Sequence, residues 1–167
     1  MADDLKFGVT FAAALGCGMI GGVFFAFSSF VMAGLSRLPP EQGIAAMQSI
    51  NVTVINRWFM GVFVGTGLAC LLLAIGSLFQ LRETAARLRL LGCLVYLLGS
   101  IVVTIGFNVP RNDVLAAVEA PSAEGAAEWA QYVPGWTDWN TVRAIASVVA
   151  AALLFAALLA EQGDAAS

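Results

Sequence analysis

The chain has 167 residues, of which 60% are hydrophobic and only 11% are charged. This balance excludes an ordinary soluble domain and predicts a single membrane domain over residues 1–167. The net charge is −3 and the eight Lys and Arg are scattered along the chain, which argues against a nucleic-acid partner. Membrane lipids are the partners that the composition itself predicts.

The residue types that usually hold metals are scarce. Histidine is absent, and the three cysteines, Cys17, Cys70 and Cys93, lie in separate apolar runs without a CxxC spacing. We therefore expect no metal site, and cysteines that pack as small hydrophobic side chains.

The first uncharged run, near residues 7–36, exceeds the ~20 residues that a helix needs to cross a bilayer. Its apolar part is too long for a typical cleaved signal peptide, so we interpret it as a first membrane span. Four phenylalanines, including Phe24 and Phe27, surround Ser28 and Ser29. Ordinary packing and a flat pocket wall for an aromatic ligand are both compatible with this cluster.

The Leu38-Pro39-Pro40 sequence ends the first span, because proline disfavours helix in the residue before it. Residues 41–57 then form an amphipathic helical stretch, with Gln48 and Asn51 on its polar side. Asn56, Arg57 and Trp58 open the second span, near 58–81, as expected at a headgroup boundary.

The third span, near 90–109, carries a polar stripe. Tyr96, Ser100, Thr104 and Asn108 are four residues apart and therefore share one helix face. Ser100 and Thr104 also have a purely structural interpretation, since both can bond to the preceding turn. Asn108 is expected to bond across to the last span, through Asn140 or Arg143, because an unpaired buried amide costs about 1–3 kcal/mol.

Residues 110–140 are predicted to form a partly helical cap, with a short helix after the Pro121-Ser122 signal. The last span, near 141–160, carries a second polar face. This face comprises Trp136, Asn140, Arg143 and Ser147. Arg143 should need a partner in its buried position, and Asp138 or a helix C-terminal carbonyl are the expected candidates.

Four spans place the loops at 37–57 and 110–143 on the same side of the membrane, so the polar groups converge there. The expected fold is all-α: a four-transmembrane-helix bundle with an amphipathic stretch after span 1 and a cap before span 4. The dense cluster of arginines in the short loop at 82–89 predicts cytoplasmic termini in the cell membrane.

Three sequence features resemble the DUF1772, or anthrone oxygenase-like, family of four-span membrane proteins. They are Phe30-Val31-Met32 before Leu38-Pro39, Met47-Gln48-Ser49-Ile50-Asn51 followed by Asn56, and Asn108-Val109-Pro110-Arg111-Asn112 with Trp139-Asn140 and Arg143. The resemblance implies O2-dependent oxidation of an anthrone-type or phenolic aromatic molecule, without a metal or flavin. It makes the chain a possible cofactor-independent monooxygenase.

Cations near the developing oxyanion would assist such a reaction. Arg143 is the expected principal cation, Arg111 and Arg57 the others, and Asn51, Asn108 and Asn140 the groups that orient the substrate. The remaining residues expected around the substrate are Asn56, Thr104, Trp136, Trp139, Phe24 and Phe27. Asp138 and Asp113 are the available bases, although each also has a simpler interpretation as a helix cap.

A non-enzymatic membrane protein is the alternative interpretation. In that case the arginines hold lipid headgroups, and the chain binds a lipid, a quinone or a partner subunit. Headgroup binding predicts arginines that point outward, whereas a catalytic pocket predicts that they converge with the asparagines on a space lined by Phe24, Phe27 and Trp139. The oligomeric state is open, with a homo-oligomer among the alternatives.

Overall fold

The computed structural model describes the backbone of residues 2–165 and the side chains of residues 4–162. Within these limits the secondary structure is entirely helical. Four helical stretches are long and apolar enough to cross a membrane: Asp4–Leu35, Arg57–Leu78, Thr84–Ala117 and Ala123–Gln162. The chain is a multi-pass membrane protein, and the predicted all-α fold is confirmed.

The first stretch is not a uniform α-helix. Helix α1 (Ala2–Ala26) passes into a π-helical segment, Phe27–Val31, and then into the short helix α2 (Met32–Leu35). The break before the next helix falls at the predicted proline pair, and Pro40 occupies the first turn of α3 (Pro40–Thr53). π-helical insertions are rare and often occur at functional sites, so this segment is a candidate part of the functional site.

Helix α4 (Arg57–Leu78) begins at a strong cap. The Asn56 side chain accepts hydrogen bonds from the backbone N–H groups of Trp58 and Phe59, which α4 itself leaves unpaired. The cap separates α3 from α4, so the amphipathic stretch does not continue into the second span. Gln48 on α3 donates from Nε2 to the carbonyls of Leu115 and Val118, which tie α3 to the end of the third stretch.

The third and fourth stretches are longer than predicted. Helix α5 (Thr84–Tyr96) continues through π-helical segments Leu97–Val102 and Thr104–Asn108 into α6 (Val109–Ala117). Only residues 118–122 interrupt the helix, and α7 (Ala123–Ala165) then runs unbroken through Pro134. The region predicted as a cap therefore consists of helical extensions of the two flanking spans. Ser122 caps the N-terminus of α7, and this helix continues without a break into the last span.

The long stretches form an antiparallel ring in the order α1, α4, α5, α7. Lys6, Arg89 and Glu161 meet at the end that holds both termini. At the opposite end Asn140 on α7 contacts Phe24 and Ser28 near the top of α1. The loops at 37–57 and 110–143 share that second end, as predicted.

Small residues set the helix separation. A Cβ on Gly99 would overlap Ala146 of α7, and one on Gly21 would lie 3.0 Å from Val148. By contrast, Gly18 and Gly22, which form the only GxxxG pair of α1, have no neighbouring atom within 4 Å of such a Cβ. The close packing of α1 therefore uses the adjacent Gly21 and not the motif itself.

Candidate functional site

A cavity of about 220 Å³ lies between all four long stretches and α3, at the end away from the termini. Its walls are largely aromatic and aliphatic, with few polar groups. The residues that line it include Phe24, Phe27, Met47, Ile50, Asn51, Phe59, Phe63, Thr104, Asn112, Trp136 and Arg143. The volume is below the ~300–1,000 Å³ typical of drug-sized ligands, so the cavity suits a compact aromatic molecule.

Among the described residues, Arg143 is the only charged side chain that lines this cavity. It is 5% exposed, and within the described side chains no carboxylate lies within 4.0 Å of it. Its guanidinium carbon lies 4.1 Å from the ring centroid of Phe24 and 5.2 Å from that of Trp136. Aromatic faces attract a cation but leave its charge uncompensated, so the position favours an anionic or electron-rich ligand.

Neutral side chains hold the Arg143 guanidinium in place. Nη2 donates to Oδ1 of Asn140 at 2.7 Å, and Nη1 donates to Oγ1 of Thr104 at 3.1 Å. The Nε group is buried without a hydrogen-bond partner. The predicted partners are therefore wrong: Asp138 is exposed, and neutral oxygens hold the cation without neutralising it.

Asn140 connects Arg143 to the π-helical part of the first stretch. It is fully buried, and its Nδ2 donates to the backbone carbonyl of Phe24 and to Oγ of Ser28, both at 2.7 Å. Ser28 lies in the π-helical segment. The amide is thus bonded to the first stretch and to Arg143, and it does not line the cavity.

The polar stripe of the third stretch has mixed roles. Thr104 lines the cavity and donates to the carbonyl of Ser100 at 2.7 Å, which leaves its oxygen able to accept from Arg143. Ser100 is buried with an unpaired hydroxyl, and so is Ser147 on α7. Tyr96 lies deeper and donates to the carbonyl of Phe63 at 3.2 Å.

Asn108 bonds to the last stretch as expected, but through a different acceptor. Its Nδ2 donates to the backbone carbonyl of Trp136 at 3.1 Å, and not to Asn140 or Arg143. Its Oδ1 is buried and unpaired. Asn108 therefore stands behind Trp136, one residue removed from the cavity.

Asn112 connects two aromatic side chains at the cavity, and no role was predicted for it from the sequence. Its Oδ1 accepts from the Tyr132 hydroxyl at 2.9 Å and from the Trp136 indole N–H at 2.8 Å. These two rings are stacked, with centroids 6.2 Å apart. The sequence shows that Tyr132 and Trp136 are one helical turn apart and therefore share a face. It does not show their common acceptor, because Asn112 lies on another helix.

Besides Asn108 and Asn140, four predicted site residues do not line the cavity. Asn56 caps α4, and Arg57 is exposed with its guanidinium 4.8 Å from the Trp58 ring. Arg111 is half-buried and donates to the carbonyl of Phe107 at 2.8 Å. Trp139 stacks on Phe107 with ring centroids 3.6 Å apart. All four lie at the same end of the bundle, as the topology required, but on its outer side.

A second, outer cavity adjoins the first. It shares Asn51, Ile55, Val109 and Asn112 with the inner cavity and is also lined by Asp113. Asp113 is exposed, and it is the only carboxylate lining either cavity among the described residues. Asp138, the other predicted base, lines neither.

Two further aromatic residues that line the cavity come from α4, and they were not predicted as site residues. Phe59 and Phe63 stack at 5.8 Å, and Phe63 packs edge-on against Phe24 at 6.2 Å. One-turn spacing in an apolar span is equally typical of lipid-facing residues. The sequence therefore does not distinguish cavity-lining from lipid-facing phenylalanines in this span.

Across the described side chains, no cluster of three or more His, Cys, Asp or Glu could hold a metal ion. Residues 55–153, more than half of the chain, match the family model described as Anthrone oxygenase. A search of the curated proteins finds no match, and neither does a search of the solved structures.

Proposed function

The chain belongs to the anthrone oxygenase family, and from that premise we propose that it oxidises a compact anthrone-type or phenolic aromatic with O2, without a cofactor. The substrate occupies the cavity next to Arg143, with its rings between Phe24, Phe27 and Trp136. The product is the corresponding quinone.

One observation carries this proposal: the buried Arg143 faces an aromatic cavity and has no carboxylate partner among the described residues. A buried cation without a counter-ion is costly unless a ligand supplies the negative charge. An anthrone enolate supplies both the flat rings that the walls accept and the oxyanion that the guanidinium lacks. Lipid-headgroup binding by this arginine is less well supported, since Arg143 points inward.

In the proposed reaction the protein deprotonates the substrate and excludes water, and O2 is the oxidant. The substrate loses one proton from the methylene group opposite its carbonyl, and the electron pair moves to the carbonyl oxygen beside Arg143. The enolate passes one electron to O2, and the radical and superoxide combine to form a carbon–oxygen bond. Loss of the second methylene proton and cleavage of the oxygen–oxygen bond give the quinone carbonyl and one water.

The electrostatic part of this sequence belongs to Arg143. At reduced dielectric a fixed cation stabilises the developing oxyanion more strongly than it would in water. Thr104 and Asn140 keep the guanidinium oriented before the charge appears. Because none of the described carboxylates lines the inner cavity, the proton leaves towards Asp113 in the outer cavity.

The test is a turnover assay with the purified chain in detergent. Dithranol, a hydroxylated anthrone, is the substrate, and dialysed protein with a chelator present is used. We expect one O2 consumed per quinone formed, with one atom of labelled O2 in the new carbonyl. Asp113→Asn should lower kcat while leaving KM nearly unchanged, with Asp138→Asn as the matched control.

Binding of dithranol without O2 consumption above the uncatalysed rate would contradict the oxygenase and leave the alternative of a quinone or phenol binder. A tight complex with the quinone product in that case would identify the binder directly. Turnover that is abolished by the chelator would overturn the cofactor-free chemistry alone.

A further inference from the structure

The outer cavity is larger than the inner one, and the boundary between them is open. Its volume is about 700 Å³, against about 220 Å³ for the inner cavity. Ile55 and Val109 border both spaces, and yet they are 72% and 41% exposed. Side chains that closed the boundary would be buried instead. A ligand that fills the inner cavity can therefore extend into the outer one.

The polar side chains of the outer cavity offer acceptors and a donor. Asp113 contributes an exposed carboxylate. The Nε2 of Gln48 is already bonded to two backbone carbonyls, which leaves its Oε1 as an acceptor. Asn112 is the reverse case, because its Oδ1 accepts from Tyr132 and Trp136 and its Nδ2 is left as a donor. A hydroxyl group matches this set, since it donates and accepts at once.

The two cavities carry charges of opposite sign. Arg143 lines only the inner cavity, and Asp113 lines only the outer one. Among the described residues no Lys or Arg lines the outer cavity. An anionic group placed there would meet the Asp113 carboxylate without a compensating cation, which lowers its affinity. The outer cavity therefore favours a neutral group over a carboxylate.

We propose that the outer cavity is a subsite for a neutral, hydroxyl-bearing substituent on the aromatic ligand, an inference that rests on the proposed function for the ligand's orientation. With the carbonyl beside Arg143, the methylene group opposite it points away from the guanidinium, towards the outer cavity. A substituent on that side of the ring system passes between Asn51 and Asn112, which border both spaces. Its hydroxyl donates to Asp113 and accepts from Nδ2 of Asn112. Hydroxyalkyl-substituted anthrones are the resulting substrate class.

Helix α6 offers a variant that fills the outer cavity without touching the inner one. Ala116 is exposed and lines only the outer cavity, so Ala116→Phe occupies the space proposed for the substituent. Ala117→Phe is the matched control, because Ala117 is the next residue of α6, is equally exposed and lines neither cavity. Neither replacement changes a buried position.

The experiment measures binding of quinones, which are stable, so that its result does not depend on turnover. The ligands are the quinone of dithranol and its 3-methyl, 3-hydroxymethyl and 3-carboxyl derivatives, since ring carbon 3 lies on the former methylene side. The full chain in neutral detergent is titrated with each, and quenching of tryptophan fluorescence reports occupancy beside Trp136. We expect the hydroxymethyl quinone to bind roughly fivefold more tightly than the methyl quinone, the effect of one hydrogen bond. The carboxyl quinone should bind roughly fivefold more weakly than the methyl quinone, because two like charges meet near the surface.

The variants separate the subsite from the inner cavity. Ala116→Phe should weaken binding of the hydroxymethyl quinone roughly tenfold, because the substituent and the new ring compete for one space. It should leave the unsubstituted quinone unaffected, and Ala117→Phe should change neither affinity. Asp113→Asn removes the repulsion and should raise the affinity for the carboxyl quinone to that of the methyl quinone, whereas Asp138→Asn should not.

Equal affinities for the three substituted quinones would overturn the proposal, as would a failure of all of them to bind. It would also be wrong if Ala116→Phe weakened binding of the unsubstituted quinone as much as that of the hydroxymethyl quinone. The outcome is independent of the oxygenase assay. The expected order of affinities without oxidation of dithranol would retain the subsite and contradict the oxygenase, and oxidation without that order would contradict the subsite alone.

Discussion

Arg143 donates from Nη2 to Oδ1 of Asn140, which lies one turn earlier on α7, at 2.7 Å. The same Asn140 donates from Nδ2 to the carbonyl of Phe24 on α1. One neutral amide thus links the buried cation to the opposite wall of the cavity. It fixes the direction of the guanidinium without cancelling its charge, which is the arrangement that an oxyanion site requires.

The first prediction concerns Arg143 itself. Arg143→Lys keeps the charge but loses the planar fork that spans Asn140 and Thr104. We expect the fold to persist and kcat for dithranol oxidation to fall roughly a hundredfold, the loss typical of one oxyanion-hole donor. Arg111→Lys is the control, since Arg111 bonds to the Phe107 carbonyl outside the cavity. Equal kcat in the two variants would move the anion site away from Arg143.

The second prediction concerns Asn140. Asn140→Ala leaves the Phe24 carbonyl and Nη2 of Arg143 without their side-chain partner, and unfolding should become easier by about 1–3 kcal/mol for each group left unpaired. A lower Tm and a lower kcat should therefore appear together. Thr141→Val provides the comparison, because exposed Thr141 also bonds to Ser28 but not to Arg143. The Asn140 assignment fails if both variants behave alike.

A third prediction separates binding from folding at Asn108. Its Oδ1 is already buried and unpaired, so Asn108→Leu removes an unfavourable group together with one favourable hydrogen bond. We expect little change in Tm. The Trp136 backbone loses its support, so KM for dithranol should rise. Unchanged KM would show that Trp136 holds its position without this amide.

The fourth prediction concerns Asn112, the common acceptor of Tyr132 and Trp136. Asn112→Asp retains an acceptor for Tyr132 and Trp136 but places a negative charge at the cavity. The fold should be retained while kcat for dithranol oxidation falls, because the added charge opposes formation of the enolate, more at low ionic strength than at high. Asn112→Leu should instead lower Tm, since two buried donors lose their acceptor. If Asn112→Asp oxidised dithranol with the kcat of the wild type, no anion would form in this cavity.

The fifth prediction concerns orientation in the membrane. Ala45→Cys and Glu83→Cys place exposed thiols at opposite ends of the bundle, and the native cysteines are fully buried and give little background. Labelling of intact cells with an impermeant reagent should reach residue 45 but not residue 83 if the termini are cytoplasmic. The reverse pattern would invert the orientation, and labelling of both positions would contradict the four-span topology.

The sequence alone determined the fold class, because long uncharged runs have few alternatives to membrane helices. It also indicated which loops share an end and that Arg143 and Asn140 belong together, since residues three or four apart on a helix must share a face. Those inferences depend only on neighbours along the chain. The same reasoning included Arg57 and Asn56, whose polar character reflects a headgroup boundary and a helix cap.

The tertiary structure decided which polar groups reach the cavity and what pairs with them. Asn112 accepts from two rings on another helix. Phe59 and Phe63 turn inward from a span that also exposes apolar residues such as Leu68 and Leu72. Apolar residues of a membrane helix are favourable on either side, so composition does not distinguish a cavity wall from a lipid face. The rotation of each helix about its axis decides which residues face the cavity and which face lipid. Small residues such as Gly21 and Gly99 set that rotation where the helices touch.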